Sequence, residues 1–253
     1  MTVALVLAGG LKPELVTPSH QIVGEALIRI GSHYMVEYVV EALRNSPEIK
    51  KIIIAGPRLE LEEIYQPASF LKIIENGPTT IQSFMHAFRL IPPETQQILA
   101  VTSDLPLLTT EAINHFLRVC RSLEGDFFYP IIRREVNEAK YPGVKRTYVH
   151  LKEGVFTGGN LLLVKPHVVE KCAWEAEELV RLRKKPFSLL THLNRKLVLS
   201  YLLRRLSIKD VEKEVARLLA GVKGVGVISP YPEIGLDVDK LSDLVLVEKM
   251  LCS

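Results

Sequence analysis

The chain has 253 residues, 47% of them hydrophobic, and a net charge of +3. That length buries a full core, and the apolar runs stop well short of the roughly 20 residues a membrane span needs, so no transmembrane segment is expected. The mild charge comes without aromatic stacking sets, zinc-finger spacings or RNA-binding signatures, which argues against a nucleic-acid partner.

Met1 is followed at once by an apolar run, with no basic leader or small-residue cleavage site, so no signal peptide is expected. Cys120, Cys172 and Cys252 have no metal-type spacing and leave an odd thiol under any pairing, which points to a reducing, cytoplasmic location. Basicity is uneven: Lys165 to Lys223 holds 14 lysines and arginines against seven acids.

In chain order, a strand is expected at Val3–Ala8, a helix at Met35–Arg44, and strands at Lys51–Ala55 and Leu71–Ile74. A helix at Thr80–Leu90, a strand at Ile98–Thr102 and a helix at Glu111–Leu123 follow, the last with Thr109 or Thr110 as N-cap. Further strands are expected at Asp126–Pro130, Asn160–Val164 and Val225–Ile228, and helices at Glu170–Lys184 and Ser207–Gly221. A closing helix follows Asp239, with Ser242 as its expected N-cap. The strands are short, continuous apolar runs of the kind covered by helices on both faces. The alternation defines an α/β fold, a three-layer αβα Rossmann-like sandwich with a mostly parallel mixed sheet. It is read as one domain over residues 1–253, with a helical insertion at about 166–222.

In such sheets ligands sit beyond the carboxyl ends of the strands. The first strand runs into Leu7-Ala8-Gly9-Gly10, where glycines that admit φ > 0 would turn backbone amides toward an anion such as a phosphate. The spacing is neither GxxxxGK[ST] nor GxGxxG, and an ordinary strand-exit turn is the alternative. Lys12 either supplies a cation to this loop or lies along the surface. The strand at 98–102 leads into Ser103-Asp104-Leu105-Pro106, a carboxylate stiffened by a nearby proline and suited to Mg²⁺, or an Asx turn. Near the C-terminus, Gly235-Leu236-Asp237-Val238-Asp239 offers Asp239 as a second oxygen ligand beside Asp104. Asp243 reads as a first-turn acid facing the helix dipole.

LVLAGG, GEALIRIGSHYMVEYVVEAL, VTSDLPLL and GLDVDKLSDL, in that order, resemble the nucleotidyltransferases of the GT-A type, the molybdenum-cofactor guanylyltransferase-like and sugar-phosphate nucleotidyltransferases. The resemblance covers roughly Met1–Pro166 and Val225–Leu251. It implies transfer of a nucleoside monophosphate from an NTP to a phosphorylated small-molecule acceptor, with release of pyrophosphate and dependence on Mg²⁺ (or Mn²⁺). It implies that Leu7, Ala8, Gly9 and Gly10 cradle the nucleotide, with Gly77, Thr80, Ser83 and Ser103 completing that site. Asp104 and Asp239 would hold the metal, with Asp237 as fallback, and Gly159 and Asn160 would meet the acceptor. Thr80 as a helix cap and Gly158-Gly159 as a hairpin turn are the structural alternatives.

The family generally carries an Arg in the glycine loop and a Lys before the Ala-Leu pair; here the first is missing and the second is Glu25. A unit pair at about 4 Å and an effective dielectric of about 20 is worth ~4 kcal/mol, so the reversed sign opposes an anion. Glu25 then binds a second metal, orients an acceptor group, or turns away while Lys145 and Arg146 supply the missing positive charge. The last account is favoured here. His20 and His150 receive no role, because transfer to an ionised phosphate relies on positioning and charge neutralisation. The basic segment at 166–222 reads as a helical insertion packed on the core or on a second copy, or as a basic amphipathic face for anionic lipid, which would suit a lipid-linked acceptor. A non-catalytic nucleotide-binding protein and a GT-A glycosyltransferase are the alternative functions.

Overall fold

Strand β1 (Thr2–Leu7) lies at the middle of the computed structural model, which describes residues 1–10, 24–172, 175 and 195–252. Val3 and Leu5 enter one apolar cluster and Ala4 and Val6 another, so the strand needs helices on both faces. The remaining strands are β2 Arg29–Ile30, β3 His33–Tyr34, β4 Ile49–Gly56, β5 Leu71–Glu75, β6 Gln97–Thr102, β7 Phe127–Arg133, β8 Val149–Leu151, β9 Gly154–Gly158, β10 Leu161–Val164 and β11 Gly224–Ser229. The helices are α1 Met35–Arg44, α2 Arg58–Ile64, α3 Thr80–Phe88, α4 Thr110–Arg121, α5 Arg134–Lys140, α6 Arg195–Leu202, α7 Ile208–Leu218 and α8 Leu241–Leu251, with residues 166–172 also helical.

The main sheet runs β5-β4-β1-β6-β10-β7-β9-β8, with β11 paired to β7. Neighbours β5, β4, β1 and β6 are parallel, as are β7 and β11, while β10 runs antiparallel between β6 and β7. Helices α1 and α4 cover one face, where Val36, Val39, Leu43, Ile113 and Phe116 are buried. On the other face Phe84, Ala87, Val168 and Val169 pack against Val3, Leu5, Ile53 and Ile98. This is the three-layer, mostly parallel architecture expected above.

Every expected strand is present, and β7 extends through Pro130 to Arg133. The reason is local. The Pro130 carbonyl accepts from Gly159 N at 2.9 Å, so its missing N–H faces the edge where the partner of β7 changes from β10 to β9. The β8–β9 hairpin and helices α2 and α5 go beyond the sequence reading. Each short helix carries an Arg–Glu pair at i,i+4, Arg58–Glu62 and Arg134–Glu138, both at 2.6 Å.

Two expected caps are corrected. Helix α8 starts at Leu241 with Lys240 at the N-cap, not Ser242, because the Asp243 carboxylate reaches back to accept from Asp239 N at 3.2 Å. Thr79, not Thr80, caps α3, accepting from Gln82 N. The helix expected at Ser207–Gly221 forms at Ile208–Leu218, capped by Ser207, whereas most of Glu170–Lys184 lies outside the described residues. Along α6 and its exit, Leu199, Leu202 and Leu203 are exposed beside exposed Arg204 and Arg205. Among the described residues no helix is long and apolar enough to cross a membrane. The three cysteines are free, and burial pushes the Cys120 thiol up to about 12.

The N-cap of α4 does double duty. Thr109 accepts from Ala112 N and donates its hydroxyl to Glu233 Oε1, both at 3.2 Å, while Lys140 Nζ meets Glu233 Oε2 at 2.8 Å. Glu233 is only 2% exposed, so it depends on these partners. Thr109→Ala is expected to lower the unfolding free energy by about 1–2 kcal/mol in urea denaturation, and Thr109→Ser to retain most of it.

Candidate active site at the carboxyl ends of the strands

The exits of β1 and β6 are joined directly, since Leu7 pairs with Thr102 and Ser103 N donates to Leu7 O at 3.2 Å. The Ala8-Gly9-Gly10 turn and Ser103-Asp104 are therefore neighbours. Neither Gly9 nor Gly10 adopts the left-handed φ that favours glycine, which corrects the conformational reason given for them. Contact is the actual reason. A Cβ on Gly9 would stand 2.7 Å from Asn76 Cβ, and one on Gly10 would collide with the Glu25 carboxylate.

Glu25 is 7% exposed and opens a single 3-10 turn, Glu25–Leu27. Its N–H donates to Gly10 O at 3.1 Å, so the residue clasps the glycine turn through both backbone and side chain. Lys12 and His20 lie outside the described residues.

The loop before α3 is held by Ser83. Its buried hydroxyl accepts from Gly77 N and donates to Thr79 O, each at 3.0 Å. Gly77 packs on the backbone at Ser83 N, 2.9 Å from where a Cβ would be, and Thr80 is exposed at the first helical position. In this geometry Ser83 braces the loop. Ser103 is fully buried between β6 and Asp104.

The segment Leu236-Asp237-Val238-Asp239 alternates. Leu236 and Val238 are buried with Ile28, Ile30, Met35, Leu107 and Tyr141, so the two aspartates turn to the opposite side. Val238 N donates to Asp104 O at 2.9 Å and fixes that register. As a result carboxylate oxygens of Asp104, Asp237 and Asp239 lie within 4.8 Å of one another, Asp104 buried and Asp239 exposed. Asp237 thus stands with Asp239 rather than in its place. Three hard oxygen donors at this spacing can hold a divalent cation.

Arg146 and Lys145 separate. Arg146 Nη1 is ion-paired with Asp237 Oδ1, with side chains 15% and 16% exposed, whereas Lys145 is exposed. Positive charge therefore reaches the carboxylates through Arg146. On the wall behind, burial and then Glu233 push the Tyr141 phenol upward, so it stays neutral.

Gly159 and Asn160 link β9 to β10. Asn160 N donates to Ile234 O at 2.9 Å, and a Cβ on Gly159 would stand 2.8 Å from Ile234 Cγ2. Their backbone is thus pinned to the turn that leads into Leu236, and both residues line a cavity of about 370 Å³ together with Thr80 and Thr102. His150 is exposed on β8. Sequence reading missed Asn76 and Thr102. Asn76, just after β5, carried the strand-end signal that drew attention to the other loops.

A glycine turn and a carboxylate cluster at adjoining parallel-strand ends place the chain in the class of NTP transferases with a Rossmann-like sheet. The chain belongs to the MobA-like NTP transferase domain family, whose model matches residues 4–207. The match enters the region set apart above as an insertion and stops before Asp237 and Asp239. A hypothetical transferase from Thermus thermophilus is 33% identical over 96% of this chain and 100% of its own, with a TM-score of 0.82. The 4-diphosphocytidyl-2C-methyl-D-erythritol synthase of Anaerococcus prevotii is 12% identical, covering 100% of this chain and 96% of its own at a TM-score of 0.60. A CMP:2-keto-3-deoxy-manno-octonic acid synthetase complexed with CTP is 12% identical, covering 99% and 98% at 0.63. The last two share the fold. No curated protein matches the chain.

The Arg146–Asp237 pair makes a signed prediction. Arg146→Ala is expected to raise Mn²⁺ affinity without nucleotide by roughly fivefold, about 1 kcal/mol for a partly exposed charge, while weakening pyrophosphate binding. Electron paramagnetic resonance of free Mn²⁺ and calorimetry with pyrophosphate measure the two effects.

Proposed function

We propose that the protein transfers a nucleoside monophosphate from an NTP to a phosphorylated small molecule. The observation that carries this reading is the approach of Asp104, Asp237 and Asp239 within 4.8 Å, beside the Gly9-Gly10 turn. Bound there, Mg²⁺ or Mn²⁺ would neutralise charge on the phosphate oxygens, with Asp104 and Asp239 as its protein ligands and Asp237 shared with Arg146. The glycine turn, held between Asn76 and Glu25, would meet the nucleotide's phosphates with its backbone, and the 77–80 loop, braced by Ser83, borders the same site. Asn160 and Gly159 face the acceptor. In the reaction an acceptor phosphate oxygen attacks the α-phosphorus, the bond from that phosphorus to the β-bridging oxygen breaks, and pyrophosphate leaves with the electron pair. An acceptor already ionised needs no general base, so positioning and charge supply the acceleration.

Glu25 acts in this scheme as the clasp of the glycine turn, and Arg146 stands in for the missing signature cation. The packing of Glu25 on Gly10 also supports the alternative of a nucleotide-binding protein without turnover. Pyrophosphate release across four NTPs and a panel of phosphorylated acceptors separates the two. The transferase reading expects metal-dependent release, reduced at least about 100-fold by Asp104→Asn with an unchanged circular dichroism spectrum. Thermal stabilisation by NTP with no pyrophosphate under any condition would establish the binding protein instead.

A further inference from the structure

Among the described residues, the sheet face carrying Leu7, Ala100 and Leu162 does not close against its helices. It floors the 370 Å³ cavity, walled by Ile81 and Phe84 of α3 and by Val168 of the 166–172 helix. That volume lies in the range of small-molecule sites, which combine an apolar lining with a few placed polar groups.

The polar groups gather at one end. Asn160 precedes β10, which is antiparallel to β6 with Leu161 opposite Val101, so Asn160 falls beside Thr102 at the carboxyl end of β6. Thr102 Oγ1 is buried without a hydrogen-bond partner among the described residues, and the Tyr129 hydroxyl lies against Gly158 nearby. Asp104 follows two residues after Thr102. The other end is Val164, Val168, Cys172 and Leu219. There the Cys172 thiol donates to Leu219 O at 3.5 Å, and burial, then Glu175, push its pKa upward, so the thiol stays neutral.

A sugar placed in this cavity would leave hydroxyls buried against carbon without partners, whereas an alkyl or prenyl chain loses nothing there. The polar end, by contrast, lies at the carboxyl end of β6, two residues before Asp104, on the side where a reacting phosphate would have to lie. We propose that the acceptor is an amphipathic phosphate monoester, its head at Asn160 and Thr102 and its apolar chain in the cavity beneath. This rests on the nucleotidyl-transfer reading, which supplies the reason for a phosphate at the polar end.

The test is calorimetric titration of the whole protein, without NTP or metal, with inorganic phosphate and with butyl, hexyl, octyl and decyl phosphate below their micelle-forming concentrations. Affinity is expected to rise about fourfold per methylene until the cavity is filled. Ala100→Leu and Val168→Phe, which fill it from floor and wall, are expected to abolish that rise while leaving NTP binding unchanged. Affinity independent of chain length in the unmodified protein would overturn the proposal, as would displacement of decyl phosphate by a nucleoside that carries no phosphate. Pyrophosphate release with polar sugar phosphates beside length-independent binding overturns the apolar site alone. Length-dependent binding with no pyrophosphate released from any NTP, decyl phosphate included as acceptor, overturns the reaction and with it the role of the chain-binding molecule as acceptor.

Discussion

The hydrogen bond from Val238 N to the Asp104 carbonyl is the constraint on which the candidate site depends. It joins the exit of β6 to a segment more than a hundred residues later and sets the register of Leu236 to Asp239. Because successive side chains of an extended segment face opposite ways, a slip of one residue would drive Asp237 and Asp239 into the cluster of Ile28, Ile30 and Met35. Burying two carboxylates among carbon costs several kcal/mol at least, so packing of Leu236 and Val238 enforces the geometry of the acids. The same coupling reaches outward. Ile234, one turn earlier, accepts from Asn160 N, so one connected stretch of backbone positions both the carboxylates and the residue at the head of the cavity.

The glycine turn is governed by space. Gly9 and Gly10 stay outside the left-handed φ range, and what excludes a Cβ is Asn76 on one side and the Glu25 carboxylate on the other. Glu25 thus has a structural occupation that a charge comparison with the family's lysine does not reveal. The expectation that Glu25 turns away is not met, since its buried carboxylate lies against Gly10. Arg146, from elsewhere in the chain, is ion-paired with Asp237.

Much of the fold was legible because the signals were local. Runs such as Val3–Ala8 and Ile98–Val101 are apolar without interruption, and α1 has the bounds expected from helical spacing. The β8–β9 hairpin was not legible, since Val149 and His150 are exposed and little alternation marks them. Helices α2 and α5 are too short for periodicity and declare themselves only through their Arg–Glu pairs. At the site, the aspartates could be named from their strand-end and loop positions. That Asp237 and Asp239 act as companions follows from the in-out pattern of LDVD, which was present in the sequence but gains meaning only once Leu236 and Val238 have a core to enter. The cavity was invisible beforehand because Ala100, Leu162 and Val168 meet only through the crossover connections of the sheet.

The most direct measurement is the position of a metal relative to these carboxylates. A crystal grown with Mn²⁺ and a non-hydrolysable NTP analogue gives an anomalous signal that locates the ion without assumption. The account predicts one peak shared by Asp104 and Asp239, with the analogue's phosphates over Gly9 and Gly10. A nucleotide bound with its phosphates elsewhere, or a peak away from Asp104 while Asp237 remains paired with Arg146, would contradict it.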